Sequence, residues 1–390
     1  MTVAFPYRFV VSCCALFAVA APALAPHPAA AQVRTDPGVP SPAASQKPLL
    51  YQSGTQVRMH PGVPEVPEVS ALSWLVADAD TGDVLAAYDA HRPLPPASTL
   101  KTLFALTVLP ALPGGTRHTV TERELAGIGP GSSLVGIREG FTYQVSDLWK
   151  GVFLHSGNDA VHVLAALNGG WQTTARQMQA KARALGALDT HVVSPDGYDA
   201  PGQVSSAYDL AVFGRAGLRN EDFARYCATA ESSFPGDGAS YEIANTNRLL
   251  TGRDGVAAYP GLIGVKNGYT SGAGHTLVAA ARRDGRTLVV TVMNPQRGGG
   301  FAVYAETRSL LDWGFAAAGL IAPVGSLVPP RPPVSRTSHI TVQGVKPGSD
   351  DWLGTGTMIL GAVGAGAGAV ALALRLKGRR SARDSSPDTR

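Results

Sequence analysis

Apolar and polar positions fall into three patterns along this chain. Unbroken apolar runs stand near both ends: "FVVSCCALFAVAAPALA" after Arg8, and "WLGTGTMILGAVGAGAGAVALAL" from Trp352 to Leu374. Inside them, β-forming runs punctuated by turn residues mark the two ends of a central region. "ALSWLVAD" and "DVLAAYDA" flank Asp80, Thr81 and Gly82, which predicts two antiparallel strands joined by a turn. "GRTLVVTVMN", Gly285 to Asn294, reads as a further strand, with "HTLVAAARR" as its hairpin partner around Asp284 and Gly285. After the break at Gly298 to Gly300, "VYAETRSLLDWGFAAAG" has helical spacing, with Leu310, Leu311, Trp313 and Phe315 available for packing. The middle of the region is mostly helical by pattern: "STLKTLFALTVL", "VSDLWKGVFLHS", "GNDAVHVLAALNGG" and "WQTTARQMQAKARALG". The expected fold class is α+β, an antiparallel sheet flanked by helices with a mostly helical subdomain.

The end runs set an address. A basic residue, an apolar stretch and small residues ending at Ala31 read as a secretory signal over residues 1–31. The run at 352–374 carries no charge and, at about 1.5 Å rise per residue, can cross a hydrocarbon core of roughly 30 Å. Asp350 and Asp351 precede it, whereas Arg375, Lys377, Arg379 and Arg380 follow. The positive-inside rule therefore places a tail, 375–390, in the cytoplasm and the rest outside. Pro-rich tracts without periodicity at 32–69 and 323–351 read as linkers, leaving one folded domain at 70–322.

Composition narrows the function. The formal charge of +4 comes with only 16% charged residues, scattered without a basic stripe, so nucleic acid is not an expected partner. Cys13 and Cys14 leave with the signal, and Cys227 alone supports neither an internal disulfide nor a cysteine-based metal site. It reads as a small buried apolar side chain.

Three short stretches carry candidate chemistry. In "PPASTLKTLF", Ser98 and Lys101 share one helical face, and the apolar run after Lys101 predicts a buried amine that can lose its proton and act as a base. In "LHSGNDAV", Ser156 and Asn158 are a hydroxyl and an amide two apart in a loop. In "GVKNGYTSGAGHT", an extended strand would send Lys266 and Gly268 to one face and Asn267 to the other, with the glycine permitting close backbone approach. Ser-x-x-Lys, a Ser-containing loop and a Lys-x-Gly strand, in that order, form the signature of penicillin-interactive enzymes.

With "SSAYDLA", "NTNRLL" and "LLDWGF" alongside, the stretch from Ser70 to Phe315 resembles the serine D-alanyl-D-alanine carboxypeptidases, the low-molecular-weight penicillin-binding proteins. The resemblance implies a β-lactamase/transpeptidase-like fold and two-step acyl transfer, with no metal or other cofactor. Ser98 would be the nucleophile, Lys101 its base and Ser156 the proton shuttle to the leaving amine. Asn158 would bind substrate or Lys101, and Lys266 the substrate's terminal carboxylate. The N–H groups of Ser98 and Tyr269 would form the oxyanion hole beside Gly268. Implied partners are peptidoglycan stem peptides ending in D-Ala-D-Ala, β-lactams as covalent inhibitors, and the cytoplasmic membrane through 352–374. Asn267 stands where the family commonly has threonine, and His155 where it often has proline. Arg297 is a weak match for a carboxylate-binding arginine of some relatives.

Two other readings are weighed. A class A β-lactamase uses a glutamate after the second motif, and none occurs from Gly157 to Asn220. A penicillin-binding fold that lost turnover through Asn267 would bind wall peptide only, but it would not be expected to keep all of Ser98, Lys101, Ser156, Asn158 and Lys266.

Overall fold

The structure, a computed structural model, describes residues 48–329. Its strands are β1 (Thr55–Val57), β2 (Ala71–Asp78), β3 (Asp83–Tyr88), β4 (Arg117–Thr119), β5 (Thr142–Gln144), β6 (Glu231–Phe234), β7 (Tyr241–Ala244), β8 (Leu262–Thr270), β9 (Gly274–Arg283), β10 (Arg286–Pro295) and β11 (Gly325–Ser326). Its α-helices are α1 (Lys101–Val108), α2 (Glu122–Leu125), α3 (Val145–Leu154), α4 (Asn158–Leu167), α5 (Trp171–Ala184), α6 (Ala207–Gly217), α7 (Glu221–Ala228), α8 (Arg248–Thr251) and α9 (Ala302–Ala317).

The main sheet runs β1-β3-β2-β10-β9-β8, all antiparallel, with β11 also on β3. Both expected hairpins form. At the β9–β10 turn, Asp284 and Gly285 each have positive φ, 50° and 78°, which is the two-residue geometry that Asp-Gly favours because it matches strand twist. The central strands are buried along nearly their whole length, so they do not alternate buried and exposed positions. They alternate between two cores instead. Trp74, Val76, Leu288 and Val290 pack with Leu310, Leu311 and Trp313 of α9. Leu75, Ala77, Val278 and Val289 pack with the helical body, including Phe104, Trp149, Phe153 and Phe213. A period of two thus serves two hydrophobic layers at once.

The α+β expectation holds, and all five expected helices form. Helices α6 and α7, which the apolar spacing did not mark, start at Ser206 and Asn220, whose side chains accept the N–H groups of Asp209 and Phe223. The sheet reaches beyond the expected 70–322 boundary at both ends. Thr55–Val57 pairs with Tyr88–Ala86, and Gly325 and Ser326 pair with Val84 and Asp83. Leu50 is buried in the helical-side core, and Trp313 Nε1 donates to Pro64 O at 2.9 Å. The described parts of the two expected linkers therefore pack on the domain. Proline hid them because edge strands bond on one side only and tolerate it nearby.

Among the described residues no helix is long and apolar enough to cross a membrane. The expected signal (1–31), span (352–374) and tail (375–390) lie outside the described residues, as do the outer parts of both linkers.

Candidate active site

Pro95 and Pro96 lead into a 3-10 turn, Ala97–Leu100, and α1 begins only at Lys101. Ser98 and Lys101 thus share a face across this tighter turn and the helix start, where the sequence predicts one helix over both. Side chains three apart nearly eclipse in 3-10 geometry, which brings Ser98 and Lys101 together. Lys101 Nζ donates to Ser98 Oγ, Asn158 Oδ1 and the Asp196 carbonyl, each at 2.7 Å. Residues 101–105 are all buried, and Lys101 is 1% exposed. Burial lowers its pKa to about 8, against the opposing charges of Asp196 and Asp159.

The second motif joins α3 to α4. His155 caps the C-terminus of α3, Ser156 turns the chain at φ 58°, and Asn158 opens α4. The Ser156 hydroxyl is buried with no hydrogen-bond partner among the described residues. Asn158 Nδ2 donates to Ser132 Oγ at 2.9 Å while its Oδ1 holds Lys101, so both ends of the amide are committed. Asp159 fixes this corner: its carboxylate accepts the N–H groups of Val135, Gly136, Ile137 and Ala160.

Strand β8 brings the third motif alongside. Lys266 and Gly268 are buried and Asn267 half-buried, as strand alternation predicts. Among the described residues Lys266 Nζ donates only to Asn267 O, at 2.8 Å, and burial followed by the charge of Lys101 holds its pKa well below the ordinary lysine value. Gly268 lies so close to the Ser98 turn that a Cβ there would stand 2.7 Å from Ser98 N. The neighbouring Thr276 hydroxyl donates to Pro96 O at 3.0 Å, tying that turn to β9. Asn267 Oδ1 accepts the Thr246 hydroxyl at 2.9 Å. The Tyr269 side chain is 61% exposed and lies 4.5 Å, ring to ring, from His275.

Ser98, Asn158 and Tyr269 line one cleft of about 190 Å³, together with Ser132, Tyr198 and Asp199. Sequence reasoning missed the segment 196–199. Asp196 supplies a carbonyl to Lys101, and Gly197, at φ 81°, packs on Ala97 so closely that a Cβ would meet its carbonyl oxygen at 2.1 Å. Tyr198 Oη donates to Pro130 O, while Asp199 accepts Thr270 Oγ1 at 2.6 Å and Gly272 N–H at 2.9 Å. The Asp-Gly pair in "SPDGYDAPG" is a turn signal that could have drawn attention here, but contacts through main-chain carbonyls leave no mark in a sequence. A larger cavity, about 700 Å³, lies elsewhere, between β1, β2 and the segment before β2. Arg297 lines that one: the Arg297 and Gln296 N–H groups bond Ser70 Oγ, which draws the end of β10 toward the start of β2 and away from the cleft. Cys227 is buried and its thiol pushed up to about 12 by burial, an inert core residue. Among the described residues no group of three or more His, Cys, Asp or Glu side chains could hold a metal ion.

Fold and site define a class, a serine-type hydrolase in which a buried lysine, not a histidine, accompanies the hydroxyl. Comparison with known proteins makes the assignment specific. Residues 60–297 match the model of the peptidase S11 family, D-alanyl-D-alanine carboxypeptidase. The carboxypeptidase DacB2 of Mycobacterium tuberculosis is 40% identical over 265 residues, 67% of this chain and 88% of the relative. A crystal structure of D-alanyl-D-alanine carboxypeptidase from M. tuberculosis H37Rv superposes with a TM-score of 0.62 at 39% identity, covering 68% of this chain and 98% of the other. The Streptomyces K15 DD-transpeptidase gives 0.60 at 26% identity, over 65% of this chain and all of the other. The chain belongs to the D-alanyl-D-alanine carboxypeptidase family, peptidase S11.

Proposed function

We propose that this chain is an extracytoplasmic carboxypeptidase, anchored by 352–374, that removes the terminal D-alanine of peptidoglycan stem peptides through an acyl-enzyme on Ser98. The observation that carries the reading is the 2.7 Å contact between Ser98 Oγ and a fully buried Lys101 whose pKa is lowered to about 8. Two buried lysines share the site, and three acceptors on Lys101 against one on Lys266 favour the proton on Lys101 before substrate arrives. A substrate carboxylate at Lys266 would stabilise the ammonium there, and that second cation would drive Lys101 toward the neutral amine a base must be.

Lys101 then takes the Ser98 proton as Oγ bonds to the carbonyl carbon. The C–N bond breaks, the Ser156 hydroxyl passes a proton to the leaving D-alanine, and water hydrolyses the ester to restore Ser98. The Ser98 and Tyr269 N–H groups would stabilise the oxyanion, each donor typically worth about 10²- to 10³-fold. The apolar uncharged span with Arg and Lys after it supports the anchored, outward-facing placement.

The test is intact-mass spectrometry of the full-length chain with benzylpenicillin, beside Ser98→Ala, together with D-alanine release from a D-Ala-D-Ala peptide. A lasting adduct on wild type alone, with D-alanine released, is expected. No adduct, or an adduct on both proteins, overturns the acyl-enzyme. An adduct without release makes the protein a binder, and rapid loss of the adduct makes it a β-lactamase.

A further inference from the structure

A second cavity, about 390 Å³, lies at the other end of the sheet and is lined by Asp80, Arg215, Arg219, Ile263, Arg282 and Thr287 among others. Ile263 precedes Tyr269 by six residues on β8, so the cavity is about 20 Å from the catalytic cleft along the strand. Arg215 is 9% exposed. Its Nε donates to Ala79 O at 2.8 Å and its Nη2 to Asp80 O at 3.1 Å, which fixes the guanidinium plane and leaves Nη1 unused. Arg282 is held from another element, its Nε on Thr287 Oγ1 at 3.1 Å, with both terminal nitrogens unused among the described residues. The Arg219 side chain has no hydrogen bond or ion pair among the described residues, and none of the three arginines is within ion-pair distance of a carboxylate.

Of the two acids nearby, Asp78 is taken up in an ion pair with Arg286 at 3.2 Å, and Asp80 holds one main-chain N–H, that of Thr287, on Oδ2 at 3.3 Å. Three guanidiniums therefore face one cavity with one carboxylate in its lining. Placement at the C-terminal end of α6 accounts for Arg215 and Arg219 through the helix dipole, but it does not account for Arg282, which β9 brings in.

We infer that this cavity binds a phosphate-type oxyanion, whose oxygens match the planar donor forks of arginine. Such a group has two sources, free phosphate and the phosphodiester headgroup of a membrane lipid. The second is suggested by the chain's course: Leu327 N–H donates to Gly82 O at 2.7 Å, and the position a Gly82 Cβ would take is 2.7 Å from Val328 and 3.2 Å from the Arg215 guanidinium. The last described residues thus run past the cavity.

The experiment is calorimetric titration of the full-length chain with inorganic phosphate and, separately, with glycerophosphoglycerol, at ionic strength matched with sodium chloride. Arg219→Gln and Arg282→Gln are run beside wild type, and benzylpenicillin acylation reports that each variant is folded. Saturable binding is expected, weakened about fivefold by either substitution, as for one partly solvated charge contact, with acylation unchanged. Binding of the diester as well supports a lipid headgroup, and binding of phosphate alone supports the free anion. No saturable heat with either probe, or heat that both variants retain in full, overturns the site.

Discussion

Gly268→Ala tests how tightly the third motif fixes Ser98, the proposed nucleophile. The added Cβ would sit 2.7 Å from Ser98 N, 2.8 Å from Thr276 Oγ1 and 3.0 Å from Ala97 Cβ, where ordinary contact begins at 3.4 Å. Relief by movement of the Ser98 turn alone takes about 0.7 Å, the gap between the two distances. Other escapes are poor. The Thr276 hydroxyl is tied to Pro96 O, and Ala97 already holds a positive φ of 51°, which is costly for a residue with a Cβ. The displaced atoms include the Ser98 N–H and Oγ, so both the proposed oxyanion donor and the 2.7 Å contact to Lys101 are affected. Misplacement on the order of 1 Å costs about 10²-fold in rate, and overpacking costs about 1–3 kcal/mol in stability. Timed intact-mass measurement of benzylpenicillin adduct should therefore show acylation about 100-fold slower, with a melting temperature lower by about 2–4 °C per kcal/mol. A folded Gly268→Ala that acylates within about threefold of wild type would refute the argument that this contact positions the nucleophile.

Four further outcomes follow from the same geometry. With the Lys101 pKa lowered to about 8, the acylation rate should rise with pH through about 8, and a rate that falls over that range would exclude Lys101 as the base. The same depression means the unfolded chain binds a proton that the native state resists. The stability penalty is full below about pH 8 and is relieved as pH rises toward 10.5, so Lys101→Met should abolish acylation yet melt no lower at pH 7, where the penalty has a ceiling of roughly 3 kcal/mol. Asp159→Asn sets an amide donor against two backbone N–H groups and should cost about 2–4 kcal/mol in denaturant unfolding, with no loss counting against its role as a pin. Asp199→Ala, which unties residues 196–199 from Thr270 and Gly272, should raise KM for a D-Ala-D-Ala peptide about tenfold more than it lowers kcat, with Asp199→Asn partly restoring it; equal effects on both would point to general loosening.

How legible the site was depended on which part of each residue works. Ser98, Lys101, Asn158 and Gly268 would act through side-chain chemistry, or its absence, at fixed spacing, so spacing marked them as candidates and the family resemblance implied their roles. Asp196 acts through a carbonyl and Gly197 through a lack of bulk against Ala97, so their roles exist only once α1 and the loop before α6 are packed together. Asp159 lay in view beside Asn158, yet its four N–H partners come mostly from residues 135–137, which sequence spacing does not bring near. The fold divides similarly. The two hairpins were readable because Asp-Gly and the turn at Asp80 to Gly82 punctuate apolar runs. β1 and β11 were not, because three-residue and two-residue edge strands have no period to detect.

Asn267 is the departure that put turnover in question, since an amide can present either an acceptor or a donor and a carboxylate-ended substrate needs a donor. The choice is made by a neighbour. Thr246, from "NTNRLL", gives its hydroxyl proton to Asn267 Oδ1 at 2.9 Å, so the oxygen is engaged inside the protein and Nδ2 has no hydrogen-bond partner among the described residues. Threonine at this place would offer one hydroxyl donor, and the oriented amide offers a donor of the same sign from a longer side chain. The substitution therefore changes reach more than chemistry. That argues for altered substrate affinity in an enzyme that still turns over, while Ser98 and Lys101, the proposed acylating pair on a separate element, keep their 2.7 Å contact.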